Sequence, residues 1–186
     1  MEIREAIRSR RSIRRFLPTP VADNVLLELA RLGRLYASGG NLQPIRFAIV
    51  SREPGKSRLY AGLKWAMYLK DFSIRPDQQP AAYLVLLHKT GKPCGFDLGA
   101  AATTVMLAAK AHGLDTCCLA SFDRAAVQDL LSTSLEPALV IALGYADQAS
   151  RPVDMDADHR YFESPDGVLN VPKLRAEQAL IYTDTE

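Results

Sequence analysis

The chain has 186 residues, of which 48% are hydrophobic and 24% charged, and its formal net charge at pH 7 is +2. These values are typical of a folded globular protein, and we expect a single domain over residues 1–186. So small a net charge argues against a general nucleic-acid surface or an electrostatic membrane anchor. Charged residues follow Met1, and the longest apolar run, 98–109, is too short to span a bilayer, so neither a secretion signal nor a membrane span is expected.

The N-terminal segment concentrates positive charge around one hydroxyl. Ser12 is surrounded in sequence by five arginines: Arg8, Arg10, Arg11, Arg14 and Arg15. The segment begins in a short amphipathic helix and becomes extended before Phe16 and Pro18. Because guanidinium groups bind phosphate oxygens bidentately, the cluster is suited to a phosphate monoester. From this segment alone, a basic arm that binds nucleic acid or is simply solvated is an equal alternative.

The remainder of the chain mixes helical and strand-like patterns. Apolar residues recur at three and four positions in four segments, which predicts helices over about 23–36, 59–67, 96–112 and 123–131. Short apolar runs predict strands at 46–51, 82–87, 116–120 and 138–144, the second buried on both faces. Asp23 is expected to cap the first of these helices, and Asp123 to open the last. Since strict βαβ alternation is absent, we predict an α+β domain in which helices cover a mixed sheet.

The predicted helix over 96–112 is the most regular of the four. Gly113 is expected to end it. Its many alanines and threonines would allow another helix to approach closely. The sequence suggests that one side is lined by Phe96, Ala100, Thr104, Leu107 and Ala111.

Residues 146–186 show no regular pattern. They are rich in proline and aspartate and are punctuated by apolar residues such as Val168, Leu174 and Ile181. The segment is too long for a structureless loop and too apolar to be simply disordered. We therefore expect an extended arm that packs on a second copy of the chain in a homodimer.

The cysteines and histidines indicate neither a disulfide framework nor a metal site. Cys117 and Cys118 are adjacent, and neighbours on a strand point to opposite faces, so a bridge between them is not expected. Three cysteines without a signal are typical of a reducing compartment, and the cytoplasm is the expected location. The histidines lack metal-ligand spacing, and no metal is expected.

Six motifs occur in a fixed order over nearly the whole chain. They are RRSIRRF at 10–16, ASGGNLQP at 37–44, the apolar helix opened by Asp97, GLDTCCLASFD at 113–123, ALGY at 142–145 and VPKLR at 171–175. In order and spacing they resemble the FMN-dependent nitroreductase family. No Walker loop or GxGxxG sequence competes with this resemblance.

The resemblance implies an FMN site with specific residues. Arg10 would meet the phosphate, with Arg11 in the same segment, and Ser12 the ribityl or phosphate oxygens. Arg14 would approach the pyrimidine edge of the flavin and stabilise its anionic reduced form. The C-terminal pair Lys173 and Arg175 would close over the phosphate; solvated charges are the alternative.

Two further segments are implied to reach the flavin. The loop that contains Ser38, Gly39, Asn41 and Gln43 would do so from the opposite subunit, although ordinary turn chemistry would also explain these residue types. Ala120 and Ser121 would present backbone amides to the N5 and O4 side; strand-end packing is the alternative.

The sequence departs from the family at several positions. Ala37 stands where proline is usual, and Ile45 where an aromatic residue is common. The region 57–76 does not match the substrate-side segment of longer members, so its aromatic residues either line the acceptor pocket or belong to the core: Trp65, Tyr68 and Phe72.

The implied function is an oxidoreductase that takes hydride from NADH or NADPH onto FMN. The flavin would then reduce a nitroaromatic, quinone or similar small acceptor in a ping-pong mechanism, without a nucleophile from the protein. An FMN-binding storage or sensing protein without efficient turnover is the alternative.

Overall fold

A computed structural model of the chain describes residues 1–89, 91, 94–155, 158–182 and 184. Its helices are α1 (Ile3–Ser9), α2 (Asp23–Gly33), α3 (Gly55–Ala61), α4 (Gly95–Ala111), α5 (Arg124–Leu131) and α6 (Ala176–Ala179). Its strands are β1 (Arg46–Val50), β2 (Ala82–His88), β3 (Asp115–Leu119), β4 (Glu136–Gly144), β5 (Ser150–Asp154), β6 (Phe162–Glu163) and β7 (Leu169–Lys173). No helix in these ranges is both long and apolar enough to cross a membrane.

Four antiparallel strands form the main sheet, in the order β1-β2-β4-β3. Every residue of β2 is buried, because helices cover both faces of the sheet and the strand alternates between two cores. Leu84 and Leu86 pack toward α2 and α4, whereas Tyr83 and Val85 lie in the second core with residues of α3 and α5. The predicted α+β architecture with a buried strand over 82–87 is confirmed.

Helix α4 was placed correctly by its pattern, but the predicted face was wrong. The buried residues of α4 are Asp97, Ala101, Ala102, Val105 and Ala109. Phe96, on the predicted side, is instead 70% exposed. Small and apolar residues occur all round this helix, so that periodicity alone does not select the side that meets the sheet.

The predicted helix over 59–67 is also wrong beyond its first residues. Helix α3 ends at Ala61, with Gly62 at its C-terminal boundary. Ala66 has a φ of 50°, which excludes a continuous helix, and Met67 is exposed. Asp23 is the first residue of α2 rather than its cap, whereas Asp123 caps α5 as predicted, accepting a 3.1 Å bond from the amide of Ala126.

The C-terminal segment folds back on its own chain over much of its length, contrary to the expectation of an extended arm. Strand β5 pairs in parallel with β7, and β6 pairs antiparallel with β7. Leu169 is fully buried, and the backbone of Ala146 bridges Phe16. Beyond the short helix α6 the segment is exposed, with apolar side chains at Leu180, Ile181 and Tyr182.

Helices α2 and α4 approach each other closely at Gly33, which predicts an effect on stability. A Cβ atom at Gly33 would lie 2.7 Å from Cγ2 of Val105 and 3.1 Å from two ring carbons of Phe47. We expect Gly33→Ala to lower the free energy of unfolding by about 1 kcal/mol, since overpacking outweighs the gain in helix propensity. Urea unfolding would measure this. The exposed neighbour Arg34→Ala serves as the control and should change stability by less than about 0.5 kcal/mol; equal stability of both variants would contradict the packing argument.

Candidate active site

The N-terminal arginines and the C-terminal segment meet in a cleft of about 190 Å³, called here the arginine cleft. It is lined by Arg10, Arg11, Ser12, Arg14, Tyr161, Val171 and Lys173. The structure thus brings together five of the predicted site residues from two distant parts of the sequence. The volume is below the range of about 300–1,000 Å³ usual for a whole organic ligand, so the cleft can hold an anionic group but not a large ring.

The segment after α1 is held extended by the edge of the main sheet. Ser12 bridges Thr116 of β3 in parallel, and the amide of Ile13 donates to the Thr116 carbonyl at 2.9 Å. Ile13 and Phe16 are buried in the core and anchor the segment at two points. The polar side chains between α1 and Phe16 are therefore fixed in position by backbone pairing and apolar anchors.

The cleft carries uncompensated positive charge. Within the described part of the chain, no carboxylate lies within ion-pair distance of Arg10, Arg11, Arg14 or Lys173. The Nε atom of Arg11 is buried and has no hydrogen-bond partner there, and burial together with the charge of Arg10 lowers the pKa of Arg11. Because a bound anion would relieve both effects, this donor set fits a phosphate monoester.

Arg14 differs from the other arginines of this segment because it is almost completely buried. Its guanidinium lies 4.4 Å from the centre of the Tyr161 ring and donates to the carbonyl of Ser12 at 3.2 Å. The side-chain oxygen of Gln148 accepts a hydrogen bond from the Arg14 amide at 3.0 Å. Sequence reasoning missed Tyr161 and Gln148, since nothing in the irregular C-terminal pattern indicates which residues return to the N-terminal segment.

The two predicted C-terminal basic residues are separated by the structure. Lys173, at the end of β7, lines the arginine cleft. Arg175 lies just beyond the strand, where its Nε is 3.5 Å from a carboxylate oxygen of Asp154, and it does not line the cleft.

The loop with Ser38, Gly39, Asn41 and Gln43 does not reach the arginine cleft of its own chain. Ser38 donates to the carboxylate of Asp97 on α4 at 2.5 Å and accepts from the amide of Gln43 at 2.8 Å. The Gln43 amide group donates to the side-chain oxygen of Asn41 at 2.9 Å. Gly39 and Asn41 form a short 3₁₀ turn, and Asn41 and Gln43 are exposed. These contacts are turn chemistry within one chain.

Ala120 and Ser121 follow directly after β3 and are exposed. Ala120 is four residues beyond Thr116, the partner of Ser12, and at strand rise this corresponds to about 13 Å. The Ser121 carbonyl accepts a hydrogen bond from the amide of Lys64 at 3.1 Å. The pair therefore lies beyond the end of β3, away from the residue that pairs with Ser12, and does not line the cleft.

Aromatic residues of the region 57–76 adjoin the cleft. The Tyr68 ring packs edge-on against Tyr161 with centroids 5.1 Å apart, and Phe72 lies 4.8 Å below the Arg15 guanidinium. Trp65 instead packs near Tyr60 and borders the second core. A second cleft of about 380 Å³ shares Tyr161 with the first and is lined by Tyr68, Asp158, Arg160, Tyr161, Phe162 and Pro172.

The cysteines are free thiols in this fold. Cys117 and Cys118 belong to opposite cores of the sheet, as their adjacent positions on a strand predict. Burial raises the pKa of Cys118 to about 12, and it raises the pKa of Cys117 as well. Burial therefore disfavours the thiolate form of both side chains at neutral pH. Among the residues that the structure describes, no group of three or more histidine, cysteine or acidic side chains could hold a metal ion.

Comparison with known proteins identifies the fold. Similar solved structures include a proposed NADH dehydrogenase/NAD(P)H nitroreductase from Parabacteroides distasonis, with 25% identity, 83% of this chain and 92% of that chain covered, and a TM-score of 0.67. A proposed nitroreductase from Exiguobacterium sibiricum in complex with FMN has 17% identity, coverages of 84% and 93%, and a TM-score of 0.68. The FMN-dependent nitroreductase NfnB from Mycobacterium smegmatis, in complex with NADPH, has 22% identity, coverages of 77% and 87%, and a TM-score of 0.63.

No curated protein matches the chain by sequence. The model of the nitroreductase family, however, matches residues 7–87 and 96–145. This match includes the arginine segment, the Ser38–Gln43 loop and the four strands of the main sheet apart from His88 at the end of β2, and it leaves out β5 to β7. Since it covers well over half of the sequence, the chain belongs to the nitroreductase family.

Proposed function

We propose that this protein is an FMN-dependent oxidoreductase that takes hydride from NADH or NADPH and reduces a nitroaromatic, quinone or similar small acceptor by a ping-pong mechanism. The observation that carries the proposal is the arginine cleft, in which four cationic side chains and one hydroxyl converge without a carboxylate partner among the described residues. Support comes from the family membership and from two relatives, of which one was solved with FMN and the other with NADPH.

The residues of the cleft would divide the binding of FMN between them. Arg10 and Lys173, with Arg11 and Ser12, would hold the phosphate through charge-assisted hydrogen bonds. When bound, FMN would supply the hydride-transfer chemistry, which no side chain of the protein needs to provide. Arg14 would provide positive charge beside the ring, which favours the anionic reduced form of the flavin. No nucleophile or metal from the protein is needed for this role.

We further propose that the working unit is a homodimer of two 1–186 domains with a flavin at each subunit boundary. The arginine cleft is too small for a flavin ring, and the Ser38–Gln43 loop lies elsewhere in its own chain. A second copy would bring its Ser38–Gln43 loop to the flavin ring. The backbone of Ala120 and Ser121 would also face the ring. Exposed apolar side chains on α1 and α4, Ile3, Ile7 and Phe96, are consistent with such a contact.

We also propose the cytoplasm as the location of the protein, since free thiols are typical of a reducing compartment.

An absorption spectrum of the purified protein tests the proposal. We expect a yellow protein that releases FMN on denaturation, and bleaching of the flavin by NADH or NADPH under argon. A quinone should then restore the colour, with parallel lines in initial-rate plots.

The alternatives give different results. A flavin that both nicotinamides leave oxidised would indicate the storage or sensing protein instead. A colourless protein with salt-dependent affinity for nucleic acid would reject the proposal altogether.

A further inference from the structure

We propose that Gln148 and Tyr161 hold Arg14 beside the flavin as a charge without a counter-ion, and so determine how much more tightly the protein binds reduced than oxidised FMN. This inference rests on the proposed function, since it concerns the same site. It assigns a role to two residues of the C-terminal segment, which lies outside the family match.

The position of Arg14 is unusual for an arginine. Only 9% of the residue is exposed, yet within the described structure its guanidinium contacts no carboxylate. The neighbouring Arg15 shows the usual solution: its guanidinium lies 3.2 Å from the carboxylate of Glu163. The two adjacent arginines therefore differ: Arg15 is neutralised by an ion pair, whereas Arg14 keeps its full charge.

Gln148 fixes the backbone of Arg14. Its side-chain oxygen must face the Arg14 amide, because the amide is a donor, and this determines the orientation of the whole carboxamide. The segment around Gln148 is itself anchored on both sides: Asp147 donates its amide to the Arg15 carbonyl at 2.9 Å, and the Ala149 carbonyl accepts from the amide of Leu169 at 3.0 Å. The Nε2 atom of Gln148 is buried and has no partner in the described residues.

Tyr161 fixes the guanidinium of Arg14. A ring face 4.4 Å away attracts a cation without cancelling its charge, as a carboxylate would. Tyr161 is held in turn by the edge-on contact with Tyr68, whose hydroxyl lies 3.3 Å from Nε2 of His159. The aromatic contacts thus confine the charged group to one place at the inner side of the arginine cleft.

The consequence concerns the reduced flavin. Opposite charges several ångströms apart attract each other more strongly at the effective dielectric of a protein surface than in bulk water. A fixed and uncompensated guanidinium favours the reduced flavin anion by an amount that depends on its position and net charge. Changes at Gln148 and Tyr161 should therefore alter the ratio of the two FMN affinities, and not only FMN binding as such.

The experiment compares Gln148→Glu with the wild-type holoprotein. The glutamate can still accept a hydrogen bond from the Arg14 amide, but it adds a negative charge next to Arg14. We expect the ratio of reduced to oxidised FMN affinity to fall about tenfold, which lowers the two-electron midpoint potential by about 30 mV. Dye-coupled reduction measures the potential, and titration of the apoprotein measures the affinity for oxidised FMN. Ser134→Asp, an exposed position between α5 and β4, adds the same charge elsewhere and should leave the potential unchanged.

Tyr161 provides a second, independent variant. Tyr161→Leu removes the ring face and should lower the ratio of reduced to oxidised FMN affinity about threefold or more. Tyr161→Phe keeps the ring and should have the same ratio as the wild type. If Gln148→Glu and Tyr161→Leu weaken both redox forms by the same factor, the two residues are merely structural and the inference is wrong. A wild-type protein that binds no FMN would instead reject the proposed function itself.

Discussion

Replacing Arg10 with alanine should lower the affinity for FMN about one hundredfold, while riboflavin binding should change by less than about threefold. Hydrogen bonds to charged groups contribute about 1.5–3 kcal/mol each, and a bidentate pair to the phosphate would account for about 3 kcal/mol. Among the described residues, the hydrogen bond that the Arg10 guanidinium donates goes to the sulfur of Met106, at 4.0 Å. The substitution should therefore remove a phosphate ligand without disturbing the fold.

Titration of the apoprotein with FMN and with riboflavin, followed by flavin fluorescence, would measure both affinities. Arg4→Ala is the matched control, because Arg4 is an exposed arginine of α1 and its loss changes the net charge equally. The control should alter FMN binding by less than about twofold at physiological salt. Equal losses for the two flavins in Arg10→Ala would contradict the assignment of Arg10 to the phosphate.

The parts of the site that the sequence could predict are those held by local structure. The segment after α1 carries its arginines and its apolar anchors, Ile13 and Phe16, within a few residues. Both its extended conformation and its positive charge are therefore visible in one short stretch of sequence. Likewise, β2 is an unbroken apolar run, and such a run in a sheet covered by helices is buried on both faces. In both cases the information lies in neighbouring positions.

The parts that could not be predicted depend on contacts between distant residues. Strand β7 contains Pro172 and pairs in parallel with β5 nineteen positions earlier, and neither strand has a period of two that would indicate it. Tyr161 and Gln148 reach Arg14 only because this small sheet returns to the N-terminal segment. The buried side of α4 was missed for a related reason: the helix has no polar face to exclude.

The predicted role of the Ser38–Gln43 loop depends on a second chain. Within one chain its side chains satisfy one another and the carboxylate of Asp97, and no part of the loop lines the arginine cleft. The ordinary turn chemistry and the flavin-binding role are therefore compatible, since the turn would shape a loop that a partner uses. The predicted contacts of this loop with the flavin therefore depend on the homodimer.

The homodimer can be tested at Phe96, where a charge should separate the subunits and release FMN. Phe96 is 70% exposed, so an aspartate there costs the isolated fold little. Ten residues, or about 15 Å of helix, separate it from Met106, the residue that contacts Arg10. An effect of Phe96→Asp on FMN binding therefore cannot arise from direct contact with the arginine cleft.

We expect Phe96→Asp to elute as a single chain of 20.5 kDa, whereas the wild type should have twice that mass. We expect FMN affinity to fall by more than about tenfold, because half of each flavin site would be lost with the partner. Size-exclusion chromatography with light scattering, combined with flavin titration, would measure both quantities. Phe96→Leu keeps an apolar side chain and should remain dimeric and yellow. If Phe96→Asp stays dimeric, α4 does not form the interface at this position; if it is monomeric yet binds FMN fully, each chain holds its flavin alone and the shared site is wrong.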